Sequence, residues 1–134
     1  MLNQELLKMA LGAREQAMAP YSGYKVGAAL LSKSGKVYLG FNIENASYSA
    51  TICAERAAFC AALLAGEREF EAIAVAGGKE KAERYVPPCG VCRQVMAEFC
   101  KETFKIIWGN EEENECHSLG ELLPFGFDKK NLEE

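Results

Sequence analysis

Leu6, Leu7, Ala10, Leu11, Ala17 and Met18 recur at helical spacing, which predicts an amphipathic first helix running from near the start of the chain to Pro20. Pro20-Tyr21-Ser22-Gly23 breaks it. Two β-rich runs follow, Val26 to Leu31 and Lys36 to Asn42, and the Ser32-Lys33-Ser34-Gly35 link between them suits a short antiparallel hairpin. Glu44 to Thr51 reads as a polar loop. Cys53 to Ala65 predicts a helix stopped by Gly66, with Ala54, Ala57, Ala58, Ala61 and Ala65 along one side, where small residues permit close packing. Glu71 to Ala76 is an apolar, β-branched strand ended by Gly77-Gly78, and Lys79 to Arg84 is a charged surface loop. A second helix runs from about Gly90 to Cys100 and a further strand from Phe104 to Trp108. The acidic stretch Glu111 to Glu115 reads as a solvated turn, Leu119 to Leu123 as a short helix before Pro124, and Asp128 to Glu134 as a charged tail prone to fraying. Helices alternating with strands after an opening hairpin predict an α/β fold, a mixed sheet of about five strands covered by helices.

Composition narrows the functions open to such a fold. With 134 residues, 49% of them hydrophobic, the chain is expected to form one domain spanning 1–134 around a real core. Its net charge of -4 runs against binding DNA or RNA, which needs clustered Lys and Arg, so a small neutral ligand fits better. No apolar run reaches the length of a membrane helix, and Met1-Leu2-Asn3-Gln4-Glu5 lacks the basic start of a secretory signal. The expected compartment is the cytoplasm. There the six cysteines are read as reduced thiols, because disulfide scaffolds belong to secreted chains with poor cores.

Two segments carry the candidate chemistry, Cys53-Ala54-Glu55-Arg56 and Pro87-Pro88-Cys89-Gly90-Val91-Cys92. Cys89 and Cys92 lie three positions apart at a helix start, so both sulfurs can face one ion, and Cys53 supplies a third corner. A structural zinc closes its tetrahedron with four protein ligands, whereas a catalytic zinc takes three and leaves one position open. Cys53 and Glu55 would diverge in mid-helix, so they belong at a helix start, where Glu55 in the first turn can point toward that open corner. Helix N-termini favour thiolate over thiol. Three thiolates on Zn(II) leave a net negative centre, and Arg56, three residues beyond Cys53, is placed to draw charge from its sulfur. A lone Cys-x-x-Cys is often a redox pair or half a zinc knuckle, but no second such pair closes a knuckle here, so the combination favours catalytic zinc. Cys60 and Cys100 lie two helical turns past Cys53 and Cys92 and read as packed core thiols. Cys116 and His117, an adjacent pair in an acidic stretch, are read as carrying no site.

These zinc segments, together with Pro20 to Ala29, Gly40-Phe41-Asn42-Ile43-Glu44-Asn45-Ala46-Ser47-Tyr48 and Leu122-Leu123-Pro124-Phe125-Gly126-Phe127, resemble the cytidine deaminases of the small homotetrameric type over nearly the whole chain. The resemblance implies a three-layer α/β/α domain, one Zn(II) per subunit on Cys53, Cys89 and Cys92, and Glu55 as proton shuttle. It implies hydrolytic deamination of cytidine and 2'-deoxycytidine in pyrimidine salvage, in a tetramer whose sites are completed by neighbouring subunits. By the same resemblance Asn42 and Glu44 would hold the ribose, Ala54 the base through its backbone, and Tyr24 would flank the pyrimidine. Tyr48 and Phe127 would enter a neighbouring subunit's site. Three features depart from the family pattern: Tyr24 replaces a common phenylalanine, Phe125 adds an aromatic beside Phe127, and Lys79 to Arg84 lengthens the link between ligand segments. The rival readings are a blasticidin-S-type aminonucleoside deaminase, disfavoured by the Asn42 to Tyr48 block, and a non-enzymatic structural zinc module.

Overall fold

The structure is a computed structural model that describes residues 1–133. Helix α1 spans Asn3–Arg14 and so ends well before Pro20. Residues 15–17 tighten into short bonds back to Gly12, Ala13 and Arg14 at 3.3, 3.1 and 3.1 Å, and Met18, expected on the helix, pairs instead with Ile43 in an isolated bridge. Strands β1 (Lys25–Ser32) and β2 (Val37–Phe41) form the antiparallel hairpin, with Leu31 opposite Val37 and Gly27 opposite Phe41. Helix α2 spans Ala54–Leu64 and β3 spans Phe70–Gly78, the latter antiparallel to β1. Helix α3 (Gly90–Phe99) leads to β4 (Lys105–Gly109), which lies parallel to β3. Together with β5 (Asn114–Ser118) these strands make a five-stranded mixed sheet in the order β2-β1-β3-β4-β5, followed by the one-turn helix α4 (Leu119–Leu122).

Strand β5 corrects the reading of Glu111 to Glu115 as turn alone. Only the first part turns, closed by the Asn110 side chain accepting from the amides of Glu112 and Glu113 at 3.0 and 2.9 Å. From Asn114 the chain pairs antiparallel with β4 as a polar edge strand, whose ladder comes from its partner and not from any apolar pattern of its own. The charged tail is also more ordered than expected. Asp128 accepts from the Lys130 amide at 2.9 Å and caps a single turn over Lys129–Asn131; Glu134 lies outside the described residues.

Side chains alternate across the sheet between two cores. Ala29, Leu31, Ala74 and Ile107 meet Leu6, Leu7 and Ala10 of α1 on one face. Ala28, Leu30, Ile73, Val75 and Ile106 meet Ala58 and Phe59 of α2 and Met96 of α3 on the other. Three layers result, and each fully buried Leu, Ile or Phe contributes about 1.5–3 kcal/mol relative to exposure. The buried stripe of α2 is Ala54, Ala58 and Ala62, while Ala61 and Ala65 are exposed and Ala57 is half-buried, so the inner face is rotated from the one expected. Phe59, turned inward, sets that rotation by packing on Phe70 at 5.2 Å between ring centroids. It leaves Cys60 exposed, contrary to its reading as a core thiol, whereas Cys100 is half-buried and its thiol is pushed up to about 12 by burial.

Topology places the site. Because β1 is antiparallel to both β2 and β3, and β4 is parallel to β3, strands β2, β3 and β4 all run the same way. Helices α2 and α3 follow β2 and β3, so both begin at the carboxyl end of the sheet, where ligands of open α/β sheets bind. Mutual backbone bonds between Ile43 and Ile52, at 2.9 and 3.0 Å, close the loop after β2 and bring Cys53 up beside Asn42.

Candidate active site

Cys53 and Cys89 are the N-cap residues of α2 and α3, both with extended backbone, and neither side chain makes a capping bond. The best N-caps are Ser, Thr, Asp and Asn, whose oxygens accept the first free amides. Here two helix starts leave that position to sulfur and turn it elsewhere. The Sγ atoms of Cys53, Cys89 and Cys92 all lie within 4.8 Å of one another, with Cys53 and Cys89 at 3.9 Å. Among the described residues this is the sole group of at least three His, Cys, Asp or Glu side chains gathered for a metal ion. Sulfurs at about 2.3 Å from a tetrahedral zinc sit about 3.8 Å apart, so the spacing fits.

Electrostatics give the same answer. The Cys53 thiol is driven well below its ordinary value, first by hydrogen bonding with Cys92 and then by Arg56 and Cys89, while the same pairing and burial drive Cys92 up. Zinc ligation requires thiolate sulfur, so binding the ion is coupled to proton release from the site. Arg56 Nη2 lies 3.5 Å from the Cys53 sulfur, as its spacing predicted, while its Nε is buried and unpartnered.

Glu55 stands in the first turn of α2, 4% exposed. Burial pushes its carboxyl up to about 7, the Cys53 charge adds to the rise, and its own backbone amide opposes it. Such a group exchanges protons near neutrality.

Tyr24, Asn42, Cys53, Ala54, Glu55 and Cys89 line one cavity of about 340 Å³, with Cys92 buried behind the other two sulfurs. Asn42 fixes its own surroundings: Oδ1 accepts from the Val26 amide and Nδ2 donates to the Tyr24 carbonyl, each at 2.9 Å, which leaves one Nδ2 hydrogen free. Burial pushes the Tyr24 hydroxyl up to about 12, with Glu83 adding to the rise. Thr51, Ile52, Tyr85 and Val86 also line the wall and were not foreseen as site residues. Tyr85, an aromatic directly ahead of the second ligand segment, was the one visible signal among them. Its ring stands edge-on to Trp108 at 6.1 Å.

Glu44 lies outside this cavity. It borders an adjoining depression with Tyr21, Ser22 and Tyr48, and Thr51 is the wall the two share. Its carboxylate accepts from the Ser22 hydroxyl and from the Ser22 and Tyr21 amides, and these bonds, the hydroxyl foremost, hold it below the usual carboxylate range. Tyr48 and Phe127 are 78% and 58% exposed, so neither belongs to the cavity wall of its own chain. Phe125 is fully exposed in the left-handed region at φ 54°. Cys116 is exposed, and the His117 ring lies between the carboxylates of Glu115 and Glu121, which accept from it at 2.9 and 3.2 Å, away from the sulfurs.

No helix among the described residues is long and apolar enough to cross a membrane. Residues 1–108 match the family described as the cytidine and deoxycytidylate deaminase zinc-binding region. The chain is 48% identical over 132 residues to a cytidine deaminase of Halalkalibacterium halodurans, covering 98% of each, and 45% identical over 130 residues to one of Sporosarcina psychrophila, covering 96% of this chain and 93% of that one. Its fold superposes on the crystal structure of cytidine deaminase from Burkholderia pseudomallei with a TM-score of 0.87 and 48% identity, over 95% of this chain and 100% of the other. A thiolate trio at two helix starts, a buried carboxyl beside it and likeness from end to end agree: this chain belongs to the cytidine deaminase family.

Proposed function

We propose that the chain is a single catalytic domain that hydrolyses cytidine and 2'-deoxycytidine to uridine and 2'-deoxyuridine with release of ammonia. The observation that carries this reading is three cysteine sulfurs within 4.8 Å at the wall of a cavity that also holds a buried carboxyl. Cys53, Cys89 and Cys92 hold one zinc per subunit, and the ion supplies Lewis acidity that brings a water's pKa near neutral. Glu55 does the proton work. It takes a proton from the attacking water as oxygen bonds to C4 and delivers it to N3 of the ring. It then takes the new hydroxyl's proton and hands it to the amino nitrogen, so that the C4–N bond breaks, ammonia leaves and the C4 carbonyl forms. Its burial suits both directions of transfer, since a carboxyl near 7 gives and takes protons with little driving force lost.

Asn42 offers its remaining Nδ2 hydrogen to a sugar hydroxyl, and Glu44 accepts from another across Thr51. Tyr24 flanks the pyrimidine and the Ala54 backbone meets its polar edge. Arg56 draws charge from the Cys53 sulfur and so preserves the Lewis acidity of the centre. Tyr48 and Phe127 complete the site of a neighbouring subunit in a homotetramer; the support is their exposure as aromatics beside the site's rim and in the C-terminal segment. Six free cysteines suit the cytoplasm, where thiols stay reduced.

Zinc-loaded protein incubated with cytidine, deoxycytidine, cytosine and blasticidin S, with absorbance and ammonia followed together, tests the reading. Turnover of the two nucleosides is the expected result. Turnover of blasticidin S alone would reassign the substrate, and release of ammonia from none of them would leave a structural zinc centre.

A further inference from the structure

Arg93, one residue past the last cysteine of the site, ties down the chain around Cys89 in a way that neither ligand spacing nor helix formation requires. Its backbone amide makes the ordinary first helical bond to the Cys89 carbonyl at 3.0 Å, and beyond that its side-chain Nε donates to the Pro88 carbonyl at 2.8 Å, a bond no other residue type at this position is bound to supply. The carbonyls immediately before and after the Cys89 Cα are therefore both held by one residue. Pro88 is fully buried, and a buried carbonyl without a donor costs about 1–3 kcal/mol. The same guanidinium sends Nη1 to the Leu122 carbonyl at 2.8 Å, satisfying one of the carbonyls left open at the end of α4. Next along α3, Gln94 Nε2 donates to the Phe127 carbonyl at 2.7 Å. Adjacent side chains of the helix that carries Cys92 thus hold the Pro88-Cys89 peptide on one side and the two ends of the Leu122 to Phe127 segment on the other.

We propose that Arg93 and Gln94 are positioning residues that make α3 the common frame of the site, Arg93 fixing Cys89 for the metal and both together fixing the C-terminal aromatic segment. The inference rests on the assignment of Cys89 as a zinc ligand and of Phe127 as a substrate-site residue. Arg93 is suited to this by its fork: Nε and Nη1 hold two different carbonyls from fixed positions on one rigid plane, where a lysine ammonium offers a single nitrogen on a flexible stem. Neither residue touches the reacting atoms. Their effect passes through the backbone, as the outer partners of a metal ligand act through the ligand they orient.

Three variants of the zinc-loaded protein separate the two halves of the proposal: Arg93→Met, Arg93→Lys and Gln94→Met, each checked for native circular dichroism. Zinc release to a pyridylazo dye is timed by stopped flow, and kcat and KM for cytidine are measured separately. Arg93→Met is expected to release zinc about 10- to 100-fold faster, the range for removing an outer partner of a metal ligand, with Arg93→Lys between it and the parent. Gln94→Met is expected to keep the parent's release rate and kcat while KM rises about fivefold, the loss of one neutral hydrogen bond. Unchanged zinc release in Arg93→Met, or release from Gln94→Met as fast as from Arg93→Met, overturns the metal half. An unchanged KM in Gln94→Met overturns the C-terminal half. If Arg93→Met does not fold, the release rate of Arg93→Lys against Gln94→Met decides the first half in its place. A parent protein that binds zinc but deaminates nothing would refute the functional reading, and zinc release would still report on Arg93.

Discussion

Replacing Gly40 by alanine puts one methyl group on β2, the edge strand of the hairpin, on the side facing the helix that carries Glu55. A Cβ there would lie 2.4 Å from the Ala54 carbonyl oxygen, 2.5 Å from the Ala58 nitrogen and 3.0 Å from the Ala58 Cα. All three are backbone atoms, so no side chain can swing aside. Ordinary contact begins near 3.4 Å, so the first turn of α2 must move by about 1 Å, the difference between 3.4 and 2.4 Å. Cys53 and Glu55 sit on that turn and move with it. Overpacking of this kind costs about 1–3 kcal/mol of stability. The larger effect is on chemistry, because a misplacement of about 1 Å can cost on the order of a hundredfold in rate. Gly27→Ala is the matched control: its Cβ would lie 2.2 and 2.3 Å from Ala10 and Arg14 backbone atoms of α1, in the opposite layer. Both variants should melt lower, and only Gly40→Ala should lose about a hundredfold in kcat/KM on cytidine at full zinc occupancy. If the two variants lose stability alike and both keep the parent's kcat/KM, the position of the α2 start does not limit turnover and the reasoning fails.

Arg56→Ala should slow turnover while zinc content by atomic absorption stays at one per chain, because the guanidinium contacts a ligand and is not one; an unchanged kcat in zinc-replete protein would remove its assigned role. Chelation should lower the melting temperature and added zinc restore it, and this zinc-dependent increment should shrink as pH falls and protons compete for the thiolates. Equal melting curves with and without zinc at neutral pH would contradict the site. His117 has its pKa raised by Glu115 first and Glu121 second, and it stacks on Trp108 at 4.8 Å. A raised folded value means the stabilisation is fully present below the ordinary value of 6.5 and is lost as pH rises through the folded one. His117→Gln should therefore flatten the stability curve from pH 6.5 upward, and a variant curve parallel to the parent's would refute the assignment.

The parts of the molecule legible in the chain were those whose signal is local. Cys53, Glu55 and Arg56 declare a helix start by their own spacing, and Ser32 to Gly35 declares a hairpin by its turn residues. What escaped depends on partners distant in sequence. Strand β5 is polar throughout and exists because β4 offers it a ladder. The end of α1 is set where Arg14 Nη2 reaches the carbonyls of Gly78 and Lys79 at 2.8 and 3.3 Å, contacts that no periodicity reports. Cys60 faces out because Phe59 faces in, a choice between two helix faces that both carried small residues. In the site, the sulfur trio was readable from spacing, whereas the bonding of Glu44 to Ser22 and the walls at Ile52 and Val86 emerge only once the loop after β2 is closed.

The two cysteine N-caps set local helix stability against activity. Serine at 53 or aspartate at 89 would give its helix the cap oxygen it lacks, and a good cap contributes about 0.5–2 kcal/mol. Each such change also removes a metal ligand. Stripped of zinc, the Cys53→Ser and Cys89→Asp variants should therefore melt above the parent, and selection for robustness alone would favour sequences without the metal ligands. Only the bound ion reverses that ranking, so the fitness of both positions is conditional on metal supply.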